Sequence, residues 1–262
     1  MGGSLDERST ASDCHPSGGS YQHLTQLSCT VLPTRTSGLR SRLTRAWFDW
    51  YCPFALRRHF HATRGYGEPL PAAISVGDRL VVAATHQSFW DPIVLNALLA
   101  RLGWRRLAMI DARQVRRHPF FRRCGGFGVD LDDPADRRRA LRYSIDQLRS
   151  ATQATTLVIF PQGRIEPPGV GLDGPAAGAE FIARRANARL VWLALDYPFW
   201  FAQRPEVLVA TGDSLADAHE RVRQATLQYD PGRRLLGGRG SIKNLRLRRA
   251  PSPDEREARL EE

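Results

Sequence analysis

Lysine is nearly missing from this chain. Of 38 basic residues only Lys243 is a lysine, so the other 37 are arginines. The formal net charge still reaches +11, because only 27 residues are acidic. Such an arginine-heavy balance reads either as compositional bias on a solvated surface or as attraction to an anionic partner. Cysteine is also scarce. Cys14, Cys29, Cys52 and Cys124 form no C-x-x-C pair and no zinc-like spacing, so they read as free thiols in a reducing compartment. Long apolar runs are lacking too. The longest, Leu190–Phe201, is interrupted by Asp196 and Pro198 and falls short of the ~20 residues a membrane helix needs. The first residues hold no basic segment followed by an apolar one, so a signal peptide is not expected. Ser88 has no Gly-x-Ser-x-Gly elbow around it, which removes it as a nucleophile. Gly125–Gly128 lacks the full dinucleotide spacing and reads as a turn. No nucleic-acid motif accompanies the positive charge, so nucleic acid is not an expected partner. A non-catalytic basic binder of nucleic acid or of an anionic surface, resting on the charge alone, stays as the alternative of another class.

What is present suits one domain. The 262 residues, 42% of them hydrophobic, can bury one good core. Residues 1–38 are rich in Ser, Thr, Gly and Pro and predict disorder; the tail from 233 to 262, rich in Arg and Gly and then acidic, predicts flexibility. Between them, from Leu39, apolar and aromatic residues fall at helical spacing as far as Ala55, with arginines around them and Pro53 predicting a kink or two short pieces. Aromatics beside arginines suit a helix lying on an anionic membrane surface; a core-packing helix with a solvated arginine face fits equally. Strands are then predicted at 80–84, 105–110, 155–160, 190–195 and 207–210, with helices over 92–102, from Asp133-Pro134 to about 150, over 176–186 and over 215–229. Strands alternating with helices predict an α/β fold, a layered sheet with flanking helices.

One stretch in this pattern carries chemistry. Leu80–Ala84 is a buried-strand run, and Asp91-Pro92 is a helix start in which Asp91 would be the N-cap. His86 thus lies in a strand-to-helix turn, five residues before a carboxylate able to orient it as a general base.

His86 and Asp91 within Thr85-His86-Gln87-Ser88-Phe89-Trp90-Asp91 resemble the first motif of the glycerolipid acyltransferase superfamily, the 1-acylglycerol-3-phosphate acyltransferase-like proteins. Three further blocks follow in that family's order. They are His118-Pro119-Phe120-Phe121 with Gly125–Asp130, then Phe160-Pro161-Gln162-Gly163-Arg164, then Leu190–Leu195, together spanning about 74–210 within a domain of 39–232. The resemblance implies transfer of an acyl chain from acyl-CoA or acyl carrier protein to a lipid hydroxyl, most simply a lysophospholipid such as 1-acylglycerol-3-phosphate. His86 would be the base and Asp91 its orienting partner, and Gln162, Gly163 and Arg164 would face the acceptor. Backbone N–H groups near Gly163 or at the helix start after Pro92 would stabilise the oxyanion. No metal or other cofactor is implied. The expected location is cytoplasmic, peripheral on the inner face of the membrane.

This chain departs from the family pattern on the acceptor side. Gln162 stands for the family's Glu, Arg164 for its Thr, Ile165 for its Arg, and Leu131 with Asp132 where a basic residue usually follows the second block. These departures keep a second acceptor open, a non-phosphate one such as a glycosylated lipid or glycosylated carotenoid.

Overall fold

The computed structural model describes residues 32–68, 70, 77–172, 176–200, 202–228 and 235–238. Most of the segment predicted to be disordered, most of the Pro-rich turn after Glu68 and most of the tail lie outside the described residues. In chain order the elements are α1 (Leu39–His59), β1 (Ala62–Tyr66), β2 (Arg79–Ala84), α2 (Asp91–Leu99) and β3 (Arg105–Asp111). Next come α3 (Ala112–Arg117), α4 (Phe120–Arg123), β4 (Gly126–Val129), α5 (Pro134–Arg149) and β5 (Thr155–Ile159). The last are α6 (Ala176–Ala186), β6 (Arg189–Asp196), β7 (Val207–Gly212), α7 (Leu215–Leu227) and β8 (Leu235–Gly238).

The eight strands form one sheet in the order β4-β3-β5-β2-β6-β7-β1-β8. The first five positions are mutually parallel. β7 runs antiparallel to β6, β1 runs parallel to β7, and β8 closes the edge antiparallel to β1. Central parallel strands are covered on both faces, so they read as continuous apolar runs. The period-2 alternation then sorts them. Val81 and Ala83 join Leu157, Ile159, Trp192 and Ala194 in a core roofed by α5, α6 and α7. Leu80, Val82 and Ala84 join Leu193, Leu195 and Val209 under α2 on the opposite face. The layered α/β fold expected from the sequence is the fold found. No helix among the described residues is long and apolar enough to cross a membrane.

Local signals explain several boundaries. Asp133 caps α5 by accepting from Ala135 N, and Pro134 opens the helix. α2 tightens into a 3₁₀ turn over Ala100–Leu102 and stops at Gly103, whose φ of 69° is left-handed. Gly125, at φ 101°, lets β4 start against β3: a Cβ there would lie 2.1 Å from the Arg106 carbonyl oxygen.

Several sequence expectations are corrected, among them Gly125–Gly128, read as a turn: Gly126–Val129 is the buried strand β4. α1 is a single helix with Pro53 inside it, not two pieces. β1 was not anticipated, because Ala-Thr-Arg-Gly-Tyr has no apolar run; Arg64 is buried there by pairing with Glu206 from the segment leading into β7. β8 lies in the tail expected to be flexible and is held by β1. Residues 32–35, within the segment expected to be disordered, are tied down: Gly128 N donates to Leu32 O (3.0 Å) and Arg35 N to Arg122 O (2.8 Å).

Of the four cysteines, Cys52 and Cys124 are described, and both are free thiols. Burial pushes each up to about 12, so neither is a thiolate at neutral pH.

Candidate active site

The site lies at the carboxyl edge of the central parallel strands, where open α/β sheets present their loops. β2 is the middle strand, flanked by β5 and β6. Beyond its last residue the chain stays tied to β6: Thr85 N donates to Leu193 O (2.9 Å), and Leu195 N donates to Thr85 Oγ1 (3.1 Å). Gln87 Nε2 adds a donor to Leu195 O.

His86 is held by its main chain from the other side. Its N–H donates to Gln162 Oε1 (2.6 Å), and its carbonyl accepts from Glu166 N (2.8 Å). Both partners belong to the loop after β5. The imidazole stacks on Phe160, with centroids 4.1 Å apart and planes 21° from parallel. Its Nδ1 lies 2.9 Å from Asp91 Oδ2. With Nδ1–H donating to the carboxylate, Nε2 carries the lone pair and can accept a proton. His86 keeps 19% of its side-chain surface exposed, whereas Asp91 keeps none.

Asp91 is not the N-cap that the Asp-Pro signal predicts. Trp90 occupies that position without a side-chain cap, and Asp91 is the first residue of α2. Its carboxylate turns back over the preceding loop. Oδ2 accepts from Gln87 N (2.7 Å) and Ser88 N (2.8 Å) as well as from His86, and Oδ1 accepts from the Tyr197 hydroxyl. Two loop amides that would otherwise lack partners are satisfied, and a fully buried anion is stabilised by four donors. Burial and the adjacent Asp91 charge push the Tyr197 phenol far above its ordinary range, so it stays a protonated donor.

The residues expected to face the acceptor, Gln162, Gly163 and Arg164, lie in the loop after β5 at the same edge. Gln162 uses both ends of its amide: Oε1 for His86 N and Nε2 for Val170 O (2.8 Å). A glutamate could make only the first contact. Gly163 has φ 73°, and a Cβ there would lie 2.6 Å from Leu131 Cδ1. Its N–H donates to Phe160 O (2.9 Å), so that amide is already engaged and is not the oxyanion donor expected there. Arg164 is 81% exposed, and its Nε donates to Glu166 Oε1. Three partners were not singled out from the sequence: Tyr197, Phe160 as the ring under His86, and Glu166. Their contacts arise from strand adjacency or loop shape, and only the position of Phe160 and Glu166 around the third block hinted at them.

Residues 64–201, more than half of the chain, match the protein-family model described as Acyltransferase. The chain belongs to the acyltransferase family. The matched span contains the whole His86–Asp91 turn, the Gln162–Arg164 loop and Tyr197. Among solved structures, this acyltransferase is similar to the 1-acyl-sn-glycerophosphate (LPA) acyltransferase PlsC from Thermotoga maritima. The two are 15% identical over 71% of this chain and 78% of that one, with a TM-score of 0.47. No curated protein matches the sequence significantly.

Proposed function

We propose that this acyltransferase moves a fatty acyl chain from the thioester of acyl-CoA or acyl carrier protein to a lipid hydroxyl, with His86 as general base. One observation carries the reading: an imidazole whose Nδ1 is fixed on a buried carboxylate, leaving Nε2 for the substrate. As the acceptor oxygen attacks the thioester carbonyl, Nε2 takes its proton and Asp91 stabilises the imidazolium. The C–S bond then breaks, and the thiolate leaves with a proton returned from His86. The surroundings suit lipid substrates. Phe89, Leu131, Ile165, Val170 and Phe199 are exposed apolar residues in the loops that follow β2, β4, β5 and β6 at this edge.

For the acceptor, the family resemblance supports a lysophospholipid such as 1-acylglycerol-3-phosphate. A second reading, a non-phosphate acceptor such as a glycosylated lipid or carotenoid, is favoured by two contacts. Leu131 rests against Gly163 where the family's basic residue stands, and Arg164 is partly neutralised by Glu166. Thiol release from acyl-CoA and from acyl-carrier protein, measured with lysophosphatidic acid, monoacylglycerol and an alkyl glucoside, separates them. Release above background with at least one acceptor is expected. Exclusive use of lysophosphatidic acid rejects the second reading, and exclusive use of neutral acceptors rejects the first. No acceptor-dependent release with either donor overturns the function.

The proposed working place is an anionic membrane surface on the cytoplasmic side. Leu39, Leu43, Trp47, Trp50 and Phe54 are all exposed and follow one another at spacings of four, four, three and four. At 100° per residue they fall within an arc of roughly 80°. The opposite face of α1 buries Ser41, Cys52 and Ala55. Exposed Arg40, Arg42, Arg57 and Arg58 border the stripe, each able to contribute about 1 kcal/mol at an anionic surface. Wild-type protein should therefore cosediment with phosphatidylglycerol-containing vesicles. Trp47→Glu/Trp50→Glu should bind at least about tenfold more weakly with little change in melting temperature. Equal binding by this variant would exclude α1 as the docking face.

A further inference from the structure

Asp91 has three donors on Oδ2 and, among the described residues, a single donor on Oδ1, the Tyr197 hydroxyl. A carboxylate held at one oxygen is free to tilt about its Cβ–Cγ bond. One held at both presents a fixed lone pair to its partner. Tyr197 comes from far away in sequence, 106 residues from Asp91, and arrives because β6 is the parallel neighbour of β2. Its own position is fixed. Tyr197 N donates to Asp196 Oδ1 (2.8 Å), and Thr226 of α7 donates to Asp196 Oδ2 (2.7 Å). Its ring packs on Phe60 (5.6 Å), which also meets Trp90 edge-on (5.0 Å).

We propose that Tyr197 is a positioning residue of the dyad: its hydroxyl, donating to Asp91 Oδ1, sets the carboxylate so that Oδ2 meets His86 Nδ1. The proposal rests on the reading of His86 as general base. The titratable and charged groups around this pair are few. Asp91 lies on α2, His86 on the turn after β2 and Asp196 at the end of β6. His59, at the end of α1, lies against Trp90 (5.0 Å), and the Arg164–Glu166 pair comes from the loop after β5. Removing the phenolic donor leaves the negative charge of Asp91 less dispersed. The imidazolium of His86 is then favoured more strongly, and a higher pH is needed to free the base.

The test compares four proteins by the pH dependence of kcat/KM, with folding followed by circular dichroism. In Tyr197→Phe, kcat should fall about tenfold and KM should stay within about twofold. The acid limb should move up by about half a pH unit or more. Replacing Tyr197 with 3-fluorotyrosine, a stronger donor, should move the limb down, and it keeps the question answerable if Tyr197→Phe folds poorly. Phe60→Leu removes the ring beneath Tyr197 but not its hydroxyl. It should lower the melting temperature and leave the limb in place. An unmoved or lowered limb in Tyr197→Phe, a limb unmoved or raised by the fluorinated residue, or an equal shift in Phe60→Leu would overturn the proposal. His86→Ala separates this from the parent reading. If His86→Ala keeps the wild-type rate, the base assignment fails. If it is inactive while Tyr197→Phe matches wild type, only the role of Tyr197 fails.

Discussion

Replacing His86 with alanine should lower the acyl-transfer rate by about 10²–10⁴-fold, the range that a positioned general base typically supplies. The loss should appear in kcat, because a general base acts on the proton that moves in the transition state rather than on substrate binding. The geometry makes this variant informative. The ring contacts to Asp91 and Phe160 are lost, but residue 86 is also held through its main chain, to Gln162 Oε1 and from Glu166 N, and these contacts survive. Thr85 likewise stays tied to Leu193 and Leu195. The turn should therefore keep its shape, and a thiol-release assay with a melting curve will separate chemistry from folding. A rate within threefold of wild type would remove His86 from the reaction.

Asp91 should give two different answers with two substitutions. Asp91→Ala strips a buried site of the acceptor for Gln87 N, Ser88 N, His86 Nδ1 and the Tyr197 hydroxyl. Buried donors left without partners cost about 1–3 kcal/mol each, less whatever water recovers, so a loss of about 3–5 kcal/mol is expected. For a domain of this size that corresponds to a fall of roughly 10 °C in melting temperature. Asp91→Asn keeps the shape. Its amide oxygen can accept from the two backbone N–H groups and His86, while its NH₂ donates to the Tyr197 oxygen, since a phenol accepts as well as donates. Stability should then fall by no more than about 1–2 kcal/mol. Activity should still drop about 10²–10⁴-fold, because no charge remains to stabilise the imidazolium. Thermal melts and initial rates on both variants check this. Equal destabilisation by Asn and Ala would mean that the charge itself holds the loop, and wild-type activity in Asp91→Asn would remove the carboxylate from catalysis.

The central strands were legible in the sequence because they are buried on both faces. Leu80–Ala84, Thr155–Ile159 and Leu190–Leu195 need no context to read as apolar runs. Asp133-Pro134 was legible because its cap is a contact two residues long, Asp133 to Ala135 N. Asp91-Pro92 carries the same local signal yet behaves differently. Its carboxylate is recruited by loop amides and by Tyr197, and a distant partner outweighs the local preference. β1 was hidden for a related reason: Arg64 looks like a surface residue until Glu206, 142 residues on, is placed beside it. The His86–Asp91 pair could be found because five residues separate it. The hydroxyl that completes it could not, since nothing local marks Tyr197 as anything but an aromatic in an apolar run.

The position of β2 also bears on how the protein is made. The strand that carries His86 is hydrogen-bonded on both sides by strands synthesised later, β5 on one edge and β6 on the other. Tyr197 and the carbonyl of Leu195, which brace the turn, leave the ribosome more than 100 residues after it. At ordinary elongation rates that delay is on the order of ten seconds. Until β5 is made β2 has two open edges, and until β6 follows it still has one, with an apolar face on each side, the condition under which nascent strands pair with the wrong neighbour. The strand order that builds the His86 turn therefore predicts refolding yields that fall as protein concentration rises.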